Sequence, residues 1–153
     1  MIGRSFGLLG LLFLASCASV APPDAVAPTG PLQFVDLPMF DDQLGQALGP
    51  KPDTVRIEFI DKVKPSQLPE RLKPWMTAVK GAGGEVKVVL PPGDLVPRGF
   101  PLLSLFPALW NALRGQKAGG PLEESLQGYD AQIILKNDAT GDRLVESIVL
   151  KRR

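Results

Sequence analysis

Residues 54–90 read TVRIEFIDKVKPSQLPERLKPWMTAVKGAGGEVKVVL, and a change of hydrophobic period inside this stretch decides the fold. From Thr54 to Val63, the apolar Val55, Ile57 and Phe59 alternate with Arg56 and Glu58. Period two places the apolar set on one side of an extended chain, the pattern of a half-buried strand. From Ser66 the period becomes helical, with Leu68, Leu72, Trp75, Met76 and Val79 at i, i+4, i+7, i+8 and i+11 on one face. Pro74 lies opposite that face, which predicts a bend there or a division into two short pieces. Gly81, Gly83 and Gly84 end the helix, Glu85 to Leu90 forms a second strand, and Pro91-Pro92-Gly93 stops it. Strand, helix and strand in succession predict a βαβ unit with parallel strands and a right-handed crossover.

Working outward toward the end of the chain, Phe100, Leu102, Leu103, Leu105, Phe106, Leu109, Trp110 and Leu113 precede Arg114 and Gly115. Ser104 is placed to cap a helix from Leu105, with Pro107 in the first turn where its missing N–H costs little. The PLEESLQG stretch offers one helical turn. Tyr129 to Lys136 and Arg143 to Lys151 then flank Asn137-Asp138-Ala139-Thr140-Gly141-Asp142, residues that tolerate the left-handed region, so a C-terminal antiparallel hairpin is expected. Toward the beginning, Leu32 to Val35 is a candidate edge strand, and Asp41 or Asp42 an N-cap for a short helix ended by Gly49. The expected fold class is α+β: a single small domain over residues 32–153, with a mixed sheet of about four strands in β-α-β-α-β-β order, helices on one face and a terminal β-hairpin.

Composition narrows the chemistry. The chain has 153 residues, 44% hydrophobic and 22% charged, which suits one globular domain. A net charge of +1 gives no clustered excess with which to grip a polyanion, so nucleic acid is not an expected partner. There is no histidine, which removes the commonest general base and zinc ligand. Asp41-Asp42 and Glu123-Glu124 are the adjacent acid pairs. Consecutive side chains diverge, so each pair reads as charge at a helix N-terminus and not as a shared acid/base site. Gly81-Ala82-Gly83-Gly84 lies after a helix and before a strand, the reverse of the order that cradles phosphate. No catalytic residue, metal site or cofactor is expected, and the chain is read as not an enzyme.

The first residues carry a different signal. Arg4 precedes an apolar run from Phe6 to Ala15, too short to span a bilayer, and small residues follow. Residues 1–16 therefore read as a signal peptide. Leu14-Ala15-Ser16-Cys17 resembles the lipobox of bacterial lipoproteins. The resemblance implies cleavage between Ser16 and Cys17 and lipidation of Cys17, the sole cysteine of the chain. Stable anchoring needs more than one acyl chain, as that modification supplies. Loss of Arg4 takes the mature chain to formal neutrality. Ala18 stands where an aspartate would retain a lipoprotein at the inner membrane, which implies the outer membrane, facing the periplasm. Residues 17–31, with Pro22, Pro23, Pro28 and Pro31, read as a Pro/Ala-rich tether. In polyproline conformation such a tether reaches up to roughly 40 Å.

The order VRIEFIDKVKPSQLPERLKPWMTAVKGAGGEVKVVL also resembles the opening strand–helix–strand of OmpA-like peptidoglycan-binding domains. The turn after its second strand is Pro91-Pro92-Gly93-Asp94 where that family has a Gly-His-Thr-Asp type, and Asp94 and Arg98 are the nearby groups that could meet diaminopimelate. The function expected is that of a non-enzymatic scaffold or accessory subunit of the envelope, partnered by the membrane through Cys17 and by another envelope protein. The alternative is a module that binds peptidoglycan or a small ligand. The Phe100 to Leu113 segment spans an apolar arc of roughly 160°, which admits a core helix, a partner-binding surface or membrane-surface insertion. Phe106, Trp110 and Leu113 are its candidate partner-binding residues.

Overall fold

A computed structural model of the chain describes residues 30–94, 101–115 and 120–153. The cleavage site at Ser16, Cys17, nearly all of the tether, Arg98 and Phe100 lie outside the described residues. Among the described residues nine elements follow in order: β1 (Leu32–Gln33), α1 (Met39–Leu48), β2 (Thr54–Val63), α2 (Leu72–Gly81), β3 (Val86–Val89), α3 (Pro107–Gly115), α4 (Pro121–Leu126), β4 (Tyr129–Asn137) and β5 (Arg143–Arg152). Short 3-10 turns at Pro65–Gln67 and Leu102–Leu105 precede α2 and α3. The fold is α+β, with one mixed sheet.

The sheet has five strands in the order β1-β2-β5-β4-β3. β4 and β5 form the expected hairpin, in register from Tyr129 opposite Arg152 to Asn137 opposite Arg143. Gly141, at φ +84°, completes its turn in the left-handed region. β2 lies antiparallel to β5, and β3 parallel to β4. The expected βαβ unit is therefore split. β2 and β3 run in the same direction, but the hairpin is inserted between them. The physical reason is burial. Val145, Ile148 and Leu150 of β5 and Tyr129, Ala131, Ile133 and Leu135 of β4 are all buried, and such long apolar strands belong in the centre. β3, four residues long with Lys87 exposed, suits an edge. The fifth strand is β1, which is shorter than the Leu32 to Val35 stretch that suggested it.

One face of the sheet carries Val55, Ile57, Val86, Val88, Ile133, Ile148 and Leu150 into a single core. Phe40, Leu44 and Leu48 of α1, Leu72, Trp75, Met76 and Val79 of α2, Leu109 of α3 and Leu126 of α4 fill that core from the other side. The opposite face carries cross-strand rows such as Lys87, Gln132, Val149 and Arg56.

Three local expectations are corrected. The helical stretch from Ser66 breaks before Leu72 and not at Pro74, because Pro74 falls in the first turn of α2, where an N–H would have no intrahelical partner and its absence costs little. Asp41 and Asp42 lie inside the first turn of α1, which starts at Met39, instead of capping it. The Asp41 carboxylate is occupied by the indole N–H of Trp75 at 2.8 Å and the Arg71 guanidinium at 2.5 Å. Ser104 sits within a 3-10 turn, and Pro107 is the first residue of α3. After α2, Gly84 N–H donates to the Val79 carbonyl at 2.8 Å and Gly83 takes φ +78°, so the glycine run closes the helix. A Cβ at Gly84 would stand 2.1 Å from the Tyr129 carbonyl oxygen, so only glycine lets α2 turn into β3 beside β4.

Candidate functional site

α3 divides its apolar residues between core and surface. Its anchors come at helical spacing: Phe106, just before the helix, is 1% exposed, Leu109 is fully buried, and Leu113 packs partly buried against the core. Trp110 follows Leu109 by 100° of helical rotation and so stands at the border of that face, partly buried. Of the three sequence-predicted partner residues, Phe106 thus holds the helix down, Leu113 flanks the core, and Trp110 reaches the surface.

At the surface Trp110 forms one wall of a groove of about 380 Å³. The 3-10 turn supplies Leu102 and Leu103 beside it, Pro101 closes one side, and β3 from Val86 to Val89 forms the other wall. Val89 is among the most exposed large apolar residues described, at 40%. The Arg114 guanidinium carbon lies 4.6 Å from the centroid of the Trp110 ring, one helical turn on, in a cation–π arrangement. Lys87, on β3, is held above the usual lysine range by its hydrogen bond to Glu85, 2.9 Å away. Sequence reasoning singled out Trp110 but missed Leu102, Leu103 and Val89 as its companions, because their meeting depends on β3 lying at the sheet edge.

A second groove, of about 470 Å³, runs beside β1 and is lined by Leu32, Val35, Leu37, Met39, Gln43 and Gln46. Leu37 and Met39 are half exposed there. Close in sequence to its lining residues, Asp36 and Asp41 are tied to Arg71 and Asp42 is exposed to solvent.

The remaining candidate groups are engaged in holding the fold. Asp94, considered above as a diaminopimelate contact, accepts from Arg143 Nε at 3.2 Å and from Asn137 Nδ2 at 3.1 Å. Glu123 and Glu124 occupy the first turn of α4. Lys51 donates to the carbonyls of Glu124 and Ser125, near the end of that helix. The C-terminal Arg152 and Arg153 are exposed, and each is hydrogen-bonded to a backbone carbonyl. Arg152 donates to the Lys51 carbonyl at 2.9 Å, and Arg153 to the Gly83 carbonyl at 3.0 Å, where its charge faces the C-terminus of α2. Among the described residues no group of three or more acids or cysteines is placed to hold a metal ion. No described helix is long and apolar enough to cross a membrane. No protein-family model, curated protein or solved structure matches the chain.

Proposed function

We propose that this chain is a lipid-anchored lipoprotein of the bacterial outer membrane, facing the periplasm, and that it serves there as a non-enzymatic scaffold or accessory subunit. The observation that carries the reading is Leu14-Ala15-Ser16-Cys17 directly after the Phe6 to Ala15 run. Order, spacing and distance from Met1 all suit lipidation at Cys17. The tether of residues 17–31 then holds the α+β domain within reach of other envelope proteins. What supports an accessory role is the division of labour in α3, where Leu109 is buried and Trp110 is left beside a groove. Aromatic side chains at such positions dominate interface energetics.

The test is chemical. Cells grown with an alkyne fatty acid should incorporate the probe into the parent protein, and Cys17→Ser should abolish incorporation and leave the precursor uncleaved. Labelling of Cys17→Ser at the parental level would overturn the assignment.

A further inference from the structure

We infer that β3 receives an extended segment of a partner protein as an additional strand, with an apolar side chain against Trp110 and a carboxylate at Arg114. This rests on the proposed lipoprotein role only for the compartment in which the partner is met. The backbone supplies the first argument. Ala131 N–H donates to the Glu85 carbonyl at 2.8 Å, opposite the pairing of Val86 with Ala131. In a parallel ladder the same alternation turns Lys87 and Val89 toward β4. Val86 and Val88 therefore aim their N–H and C=O groups away from the sheet. Among the described residues no backbone hydrogen bond closes that side. Alternate donors and acceptors on an extended edge are a template for one more strand.

Shape and charge supply the second argument. The groove lies along this edge, between β3 and the wall made by Leu102, Leu103 and Trp110, so an added strand would direct alternate side chains into it. Lys87 is already paired with Glu85. Arg114 is exposed, and among the described residues no carboxylate lies within ion-pair distance of it. Arg114, outside the lining itself, thus places an exposed guanidinium over the aromatic wall of the groove. That complementarity selects a peptide carrying an apolar residue next to an acidic one, and a charge-assisted bond to guanidinium fixes its register.

The probe is a random peptide display library, panned on the full lipidated chain in detergent micelles, followed by synthesis of the selected peptide. Selected sequences are expected to alternate apolar residues with an acid. Trp110→Ala should weaken binding of the synthetic peptide at least about tenfold, and Arg114→Ala by about threefold to tenfold. Methylation of peptide backbone nitrogens at alternate positions should abolish binding, while methylation at the intervening positions leaves it intact. Amide exchange at Val86 and Val88 should slow when peptide is added.

Three results would overturn the inference. One is a library that yields no binder. Another is a bound peptide indifferent to both Trp110→Ala and N-methylation. The third is protection of the Val86 and Val88 amides without peptide, whether by this chain's own segments or by a second copy, the latter recognised by its concentration dependence. Failure of Cys17 labelling with peptide binding intact removes the anchor and leaves the added strand standing.

Discussion

β1 and β3 close the sheet at opposite edges, and the residues around them treat those edges differently. β1 is two residues long, and Pro31 before it has no N–H to offer a neighbour. Immediately after it, Phe34 N–H turns inward to the Glu58 carbonyl at 2.8 Å, and the Phe34 ring packs against Phe40 and Phe59. Asp36, bound by Arg71, then leads the chain away into α1. A short strand, a proline and a charge are the devices by which sheets avoid unwanted pairing. β3 carries the charge, at Lys87, but it is twice as long and has no proline within it. Its four residues run between Glu85 and Leu90 without a proline, and a leucine-lined turn and Trp110 stand alongside. The difference teaches that the two grooves are not equivalent. At β1 one residue, Gln33, turns its backbone groups away from the sheet, whereas at β3 two do so, Val86 and Val88, both with buried side chains and beside the groove that Trp110 walls.

The largest effect expected separates the two roles within α3. Leu109→Ala empties a fully buried site and should cost about 2–5 kcal/mol in chemical denaturation of the chain. Trp110→Ala, at the border of the core, should cost less than half as much, because part of that ring already faces water. Equal losses from the two substitutions would show that Trp110 is as much core as Leu109, and the contrast between the edges would lose its aromatic wall.

How much of this was legible in sequence follows from what is local. Alternation placed β2, β3 and both strands of the hairpin within a residue or two, because the period-two pattern is a property of each segment alone. The Gly81 to Gly84 run marked the end of α2 for the same reason. Strand order was not legible. Nothing in residues 54–90 states that residues 129–152 will insert between the two strands they encode, and that insertion is what puts Val86 to Val89 at an edge. The polar network was hidden too: Asp41 read as a cap, yet Trp75 and Arg71, some thirty positions away, claim its carboxylate. Trp110 could be assigned to the border of a helix face from angular position, but its companions Leu102 and Val89 could not be found before the sheet was assembled.

A smaller effect tests the β1 side. Asp41 accepts from both Trp75 Nε1 and Arg71, so Asp41→Ala leaves a nearly buried indole N–H without its partner and should cost about 1–3 kcal/mol. Asp41→Asn, which keeps an acceptor for the indole, should recover part of that loss. The reading of β1 as a fastened edge breaks if denaturation midpoints of Asp41→Ala and the parent coincide.

The smallest effect belongs to neither edge and serves as their reference, since it sits in the turn of the central hairpin. Asp138 Oδ1 accepts from Thr140 Oγ1 at 2.6 Å, from Thr140 N–H at 2.9 Å and from Asp142 N–H at 3.0 Å, with Lys62 3.9 Å from its other oxygen. The hydroxyl of Thr140, above all, holds the carboxyl below the usual carboxylate range. Because the folded chain binds this proton less readily than the unfolded chain, the charge stabilises the fold above the ordinary carboxylate value. That contribution is lost as the pH falls through the lowered folded value. Asp138→Asn keeps an oxygen for Thr140 and Asp142 and removes only the charge, so it should be less stable than the parent near pH 6 and converge on it toward about pH 2. Urea midpoints at the two pH values measure the gap. A gap of the same size at both would mean that the turn depends on the shape of this side chain and not on its charge. The same paired measurement on Trp110→Ala should show no such convergence, since no acid among the described residues lies within ion-pair reach of Arg114, the cation that covers its ring.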